Sequence, residues 1–224
     1  MVASAKLSEL RSTLLAGGTG LIGRVLLALL LESPRYTRVH VLVRRTVPDL
    51  PVHSKLRVQE VDFAQLPALP AIDDVFIALG TTIKPAGSDA AFRRVDSDAV
   101  VNTARAALAA GARRLLVVSA LGADPKSRVF YNRVKGEMQQ AVAALGYETV
   151  VFVQPSLLVG DRAAIGQPTR AGEEWAMRLL RPMRGLIPGR VRPIRAEAVA
   201  RALLAAALDS TPGVRILRSG EMQT

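Results

Sequence analysis

Short runs of apolar residues alternate along the chain with longer stretches in which apolar residues recur every three or four positions. "STLLAG" (12–17) reads as a buried strand and Leu21 to Leu31 as a helix. "RVHVLVR" (38–44) is a second strand, with valine at alternate positions, "LRVQEVD" (56–62) a third and "DDVFIALG" (73–80) a fourth. Asp96 to Ala110 is an alanine-rich helix ending at Gly111, and Ser127 to Leu145 is a helix ending at Gly146, glycine being common just past a helix C-terminus. Between them lies a fifth strand, "RRLLVVSA" (113–120), and after them a sixth, "YETVVFVQP" (147–155). Arg195 to Leu208 is a last helix and "GVRIL" (213–217) a last short strand.

This alternation predicts an α/β protein with a doubly wound, Rossmann-like parallel sheet and helices on both faces. The central strands are apolar on both sides, as strands buried within a parallel sheet are. The rhythm breaks from Gly160 to Pro193, a stretch rich in Gly, Pro and Arg that holds the lone Trp175. A single domain over residues 1–224 is expected, with about 156–195 as a small substrate-side segment.

Between the first strand and the first helix stand Gly17, Gly20 and Gly23, a GxxGxxG spacing. Glycine tolerates positive φ and close backbone approach. A turn there aims the free N–H groups and positive dipole end of the first helix at an anion. In a doubly wound sheet the natural anion is a dinucleotide pyrophosphate at the carboxyl ends of the strands. The second strand ends in Arg44-Arg45, and no Asp or Glu occurs between Ser33 and Pro48. A carboxylate there would hold the ribose hydroxyls of NAD. Two guanidinium groups instead suit a 2′-phosphate, so the cofactor expected is NADP(H).

Composition removes several alternatives. The absence of cysteine excludes a disulfide framework, a thiolate metal site and a cysteine nucleophile. The only histidines, His40 and His53, have no local acidic cluster, so no metal site is expected and a Ser-His-Asp triad is not supported. The formal net charge is +11, with 30 basic residues of which five are lysines. The arginines are scattered and stacking aromatics are few, so no specific nucleic-acid binding is expected. The arginines thicken between Arg162 and Arg201, a face suited to an anionic ligand. The most apolar run, Leu21 to Leu31, is interrupted by Arg24 and is shorter than the about 20 residues that span a bilayer, so no membrane association is expected. The opening "MVASAKLSELRS" has no apolar core followed by a cleavage pattern, and a cytoplasmic protein is expected.

"YNRVK" places Tyr131 and Lys135 one helical turn apart on one face, and Ser119 closes the fifth strand at the carboxyl edge of the sheet. A free tyrosine ionises near pH 10, too high for proton transfer at neutral pH, and a nearby ammonium favours the phenolate. Serine can hold a substrate carbonyl or alcohol while tyrosine gives or takes the proton and a hydride moves to or from nicotinamide.

The glycine spacing and the Ser-Tyr-Lys set together resemble the short-chain dehydrogenase/reductase superfamily. "ALGTT", "FRRVDSD", "SALGAD", "YNRVKGE" and "QPSLLVGDR" resemble its atypical, Tat-interacting-protein-like and NmrA-like NADPH-binding group, from Thr13 to about Leu217. The resemblance implies catalytic roles for Ser119 as substrate holder, Tyr131 as acid/base, and Lys135 as its modulator and ribose anchor. It implies a cofactor site of Gly17, Thr19, Gly20, Leu21, Ile22, Gly23, Arg44, Arg45, Asp62 near the adenine, Leu79, Gly80, Thr81, Lys135, and Pro155 beside the nicotinamide. Two departures stand out: Asp96 occupies the place of a proton-relay asparagine, and only about 35 residues separate the sixth strand from the next helix, where extended members build a lid. The resemblance implies an NADP-dependent oxidoreductase acting on a small carbonyl or alcohol, as a monomer or weak dimer. The departures keep open an NADP(H)-sensing regulatory or scaffold protein with a protein partner. A sugar-nucleotide epimerase or dehydratase fits less well, because the lid is small.

Overall fold

The computed structural model describes residues 10–45, 50–81, 83–159, 193–209 and 211–223. Seven parallel strands form one sheet: β1 (Arg11–Ala16), β2 (Tyr36–Val43), β3 (Leu56–Glu60), β4 (Asp74–Ile77), β5 (Arg114–Val118), β6 (Thr149–Gln154) and, last in the chain, the strand Gly213–Arg218, which becomes β9 once a short pair is counted. That pair is β7 (Leu158–Val159) and β8 (Ile194–Arg195), parallel to each other and outside the main sheet. The spatial order is β3-β2-β1-β4-β5-β6-β9. The winding reverses between β1 and β4, which pair directly. At such a switch point two connections leave in opposite directions, and a crevice opens at the carboxyl ends of the strands.

Among the described residues the helices are α1 (Leu21–Glu32), α2 (Ile83–Ala86), α3 (Asp89–Arg93), α4 (Ala99–Ala109), α5 (Phe130–Ala143) and α6 (Ala196–Asp209). Two apolar layers cover the sheet. On one face Leu26, Leu27 and Leu30 of α1 meet Val199 and Leu203 of α6 over Leu15, Phe76 and Val151. On the other, Val100 and Ala104 of α4 and Met138 and Val142 of α5 pack over Leu14, Val75, Leu115 and Phe152. Consecutive strand residues alternate between these layers, so the central strands are apolar throughout.

The expected elements are present with shifted ends. β2 starts at Tyr36, two residues before the expected Arg38, because Tyr36 is fully buried and its hydroxyl donates to Asp74 at 2.7 Å. β4 stops at Ile77, not at Gly80: Ala78 still donates to the Ala16 carbonyl, and the chain then leaves the sheet. The helix expected from Asp96 begins earlier and in pieces. Ser88 caps α3, its hydroxyl accepting from the Ala91 N–H at 3.1 Å, a π-helical turn follows over Arg94–Asp98, and α4 continues from Ala99. The expected substrate-side segment lies mostly outside the described residues, together with Trp175 and most of the arginines beyond Arg162.

A buried charge cluster joins the amino ends of four strands. Asp74, which opens β4, is fully buried. Its Oδ2 accepts from Tyr36 and from Arg11 Nη1 at 3.3 Å, and its Oδ1 is held by Arg114 Nε. Arg11 also donates to the Ala207 carbonyl at 3.2 Å, which ties α6 to this end. Burial, then the Asp74 charge, pushes the Tyr36 phenol far above its ordinary ionisation range.

Candidate functional site

The glycine turn sits where β1 meets α1. Gly17 has φ +90°, and a Cβ there would run into the Ala78 backbone that leaves β4. A Cβ on Gly23 would collide with the Gly17 carbonyl oxygen, so the first turn of α1 closes onto the loop only without a side chain. Gly20 differs: the nearest atom to its Cβ position is the Gly17 oxygen at 3.5 Å. That space is a cradle, and a side chain would fill it. Gly20 is also the N-cap of α1, with no side-chain cap and no acid in the first turn, so nothing acidic there opposes an anion at the free N–H groups. Thr19 and Leu21 are half-buried and Ile22 is buried in the core beneath; the Thr19 carbonyl accepts from Arg24 Nε at 3.3 Å. These features fit a dinucleotide pyrophosphate.

Arg44 and Arg45 follow β2 directly and are exposed. Asp62, two residues beyond β3, is exposed, and its Oδ1 accepts from the Ala64 N–H at 2.8 Å, which shapes the turn there. Leu79, Gly80 and Thr81 form the loop that leaves β4. Pro155 follows β6 and is buried, its carbonyl accepting from the Leu121 N–H at 3.1 Å.

The Ser-Tyr-Lys residues come from β5 and α5. Lys135 is 3% exposed, and its Nζ lies 2.7 Å from Oδ1 of Asp96, itself fully buried. The other Asp96 oxygen accepts from the Thr81 N–H at 2.8 Å. One carboxylate therefore joins α5 to the loop after β4. The π turn turns Asp96 inward, and such widened turns are frequent at functional sites. Gly80 completes the junction: a Cβ there would stand 3.3 Å from Asp96 Oδ1 and 3.8 Å from Lys135 Nζ. Tyr131 is half-buried, its ring 5.4 Å from that of Phe92 in α3.

Ser119 is the first residue after β5 and is 4% exposed. Its oxygen accepts from Gln139 Nε2 at 2.5 Å, and Gln139 Oε1 in turn accepts from Gln154 Nε2 at 3.4 Å. Tyr131, Lys135 and Gln139 are thus three successive turns of one α5 stripe. Gln139, and the link it makes from Gln154 to Ser119, were not expected from the sequence. The signal was present in the spacing: Gln139 lies between Met138 and Val142 on a buried helical face, where a polar residue needs a partner.

His40 lies in β2 opposite Arg57; burial, with Arg38 and Arg57 nearby, holds its imidazole below the ordinary range. Among the described residues no three His, Asp or Glu side chains are grouped to hold a metal ion, and no helix is long and apolar enough to cross a membrane.

The chain matches a family described as "NAD(P)H-binding" over residues 17–157, more than half its length and including the glycine turn, Ser119, Tyr131 and Lys135. It is 35% identical over 152 residues to "Protein FMP52, mitochondrial" of Eremothecium gossypii, covering 67% of this chain and 68% of that protein. It is 34% identical over 173 residues to "Protein HTATIP2" of Rattus norvegicus, covering 75% and 69%. The fold is similar to that of MoeE5 in complex with UDP-glucose and NAD, with a TM-score of 0.69 at 24% identity over 92% of this chain and 75% of that one. It is also similar to the Bordetella bronchiseptica enzyme WbmH in complex with NAD+, with a TM-score of 0.68 at 16% identity over 94% and 76%. The relatives correct the expected cytoplasmic location: the fungal proteins that the chain matches are named mitochondrial. Mitochondrial leaders are amphipathic and arginine-rich, so the lack of an apolar core and cleavage pattern in "MVASAKLSELRS" does not bear on them. Glycine turn, switch point and sequence kinship agree: the chain belongs to the NAD(P)H-binding Rossmann family, within the atypical short-chain dehydrogenase/reductase group.

Proposed function

We propose that the protein is an NADP(H)-dependent oxidoreductase acting on a small carbonyl or alcohol. The observation that carries this reading is the α5 stripe. Lys135 is fixed beside the loop after β4 by Asp96, and Ser119 is fixed by Gln139 from the same helix, one turn further on. The preference for NADP(H) over NAD(H) rests on Arg44 and Arg45, exposed at the end of β2 where a 2′-phosphate would lie.

The bound nicotinamide supplies a hydride donor or acceptor. The chain supplies the rest. The glycine turn and the α1 N-terminus hold the pyrophosphate. Lys135 would anchor the ribose, one helical turn from Tyr131 on the same face of α5. The Ser119 hydroxyl holds the substrate oxygen, and the Tyr131 hydroxyl gives that oxygen its proton during reduction or takes it during oxidation.

A second reading, an NADP(H) sensor that acts through a protein partner, is favoured by one observation. The Asp96 carboxylate already balances the Lys135 charge at 2.7 Å, so less of that charge is left to stabilise a phenolate. NADPH oxidation across aldehydes, ketones and quinones, wild type beside Tyr131→Phe, separates the two. The phenylalanine ring keeps the Phe92 contact and deletes only the oxygen. General acid–base catalysis is worth about 10²–10⁴-fold, so turnover should fall by at least the lower figure while NADPH affinity changes little. Absence of turnover in the wild type on every carbonyl would favour the sensor.

A further inference from the structure

We propose that Gln139 is a positioning residue that fixes the Ser119 hydroxyl as a hydrogen-bond donor to the substrate. This rests on the oxidoreductase reading. A primary amide nitrogen only donates. With Gln139 Nε2 at 2.5 Å from Ser119 Oγ, one lone pair of the serine is occupied and the serine proton is turned away from the glutamine. Gln154, at the end of β6, meets the other side of the Gln139 amide by donating to Oε1 at 3.4 Å. All three side chains are nearly inaccessible: Ser119 is 4%, Gln139 9% and Gln154 6% exposed.

Packing alone does not call for this arrangement. Gln139 stands among Val134, Met138 and Val142 on the buried face of α5, where leucine or methionine would fill the space without a polar group to satisfy. The two glutamines come from different elements, and their bonds run in one direction, Gln154 to Gln139 to Ser119. That direction ends in a hydroxyl whose remaining proton is free to meet an acceptor. The substrate oxygen that meets it accepts through a lone pair: the carbonyl oxygen of an aldehyde or ketone, the alkoxide that forms as a hydride reaches its carbon, or an alcohol oxygen whose own proton faces Tyr131.

The test has two arms. In the kinetic arm, wild type, Gln139→Leu, Gln139→Glu, Ser119→Ala and Ser119→Ala/Gln139→Leu are compared on a carbonyl compound that the wild type reduces. Gln139→Leu should lower kcat about tenfold, the worth of one hydrogen bond, and change KM less. In the Ser119→Ala background the same change should cost nothing more, because Gln139 acts through Ser119. Gln139→Glu should retain its rate at low pH, where the carboxylic acid still donates. It should lose rate as pH rises through the carboxylate range, where the ionised group draws the serine proton inward. A full extra loss in the Ser119→Ala background, or a pH profile in Gln139→Glu that follows the wild type, would overturn the proposal. If the wild type reduces no carbonyl, the oxidoreductase reading fails, and the second arm decides the positioning. In ¹⁵N-labelled protein the Gln139 side-chain amide signal should be protected from exchange and should move in Ser119→Ala but not in Tyr131→Phe. An amide signal that exchanges freely, or is unmoved by Ser119→Ala, would overturn the proposal whatever the kinetics show.

Discussion

Asp74 and Asp96 are two fully buried carboxylates at opposite ends of β4, and their surroundings differ in kind. Asp74 opens the strand and is enclosed by side-chain donors from three other strands: Arg11 of β1, Tyr36 of β2 and Arg114 of β5. Asp96 receives the loop that leaves the strand. One of its oxygens accepts from the Thr81 backbone, and the other meets Lys135 in an ion contact that lacks an aligned hydrogen bond. Beside it stands Gly80, exposed and without a side chain to close the junction. A saturated buried charge ties strands together. A buried charge with bonding capacity left, next to a crevice, is placed to work with a ligand.

The largest expected effect breaks the first cluster. Asp74→Ala leaves two guanidinium groups and a phenol without their acceptor, and removing one partner of a buried pair typically costs about 3–5 kcal/mol. Urea unfolding should register that loss, while NADPH affinity of the folded protein stays at the wild-type level. A loss under about 1 kcal/mol would mean that the cluster is wetter or less coupled than its burial implies.

Asp96→Ala should behave differently. It also leaves a buried cation uncompensated, but it releases the Thr81 loop and Lys135 together, so NADPH affinity should fall by about tenfold or more, the worth of one charge-assisted hydrogen bond. Titration calorimetry on both variants, at a temperature where both are folded, makes the comparison. Equal NADPH affinity in wild type and Asp96→Ala would erase the distinction between the two ends.

The sequence announced these two ends unequally. Strand–helix alternation and the apolar character of the central runs sufficed for the sheet, because a parallel sheet covered on both faces leaves that pattern in any chain that forms it. Gly17, Gly20 and Gly23 were legible because the turn excludes side chains at two of those positions and leaves the third open. Element ends were less legible: Ile77 ends β4 although the apolar pattern runs on to Leu79, since a helix elsewhere in the chain supplies the acceptor for Thr81. The Asp74 cluster and the Gln154–Gln139–Ser119 chain were not read at all. Each joins residues between 15 and 63 positions apart in the chain, and a single polar residue in an apolar run carries no mark of its partner.

The smallest effect sharpens the first cluster in alkali. Burial raises the Tyr36 phenol, and burial likewise raises Tyr147, whose hydroxyl donates to the Ala104 carbonyl at 2.6 Å. In the unfolded chain both ionise near pH 10. The folded protein therefore holds two protons that the unfolded chain gives up. Their contribution is fully present below about pH 10 and is lost as pH rises above it. The urea midpoint should fall between about pH 8 and about pH 11, and less so in Tyr36→Phe.

The central claim is that the crevice at the carboxyl end of the sheet takes NADP(H), with Arg44 and Arg45 reading the 2′-phosphate. Calorimetric titration of NADPH and NADH into the wild type and into an Arg44→Ala/Arg45→Ala variant tests it most directly. The account predicts tighter binding of NADPH than NADH by the wild type, with most of that preference lost in the variant; equal affinity of the wild type for the two cofactors would contradict it.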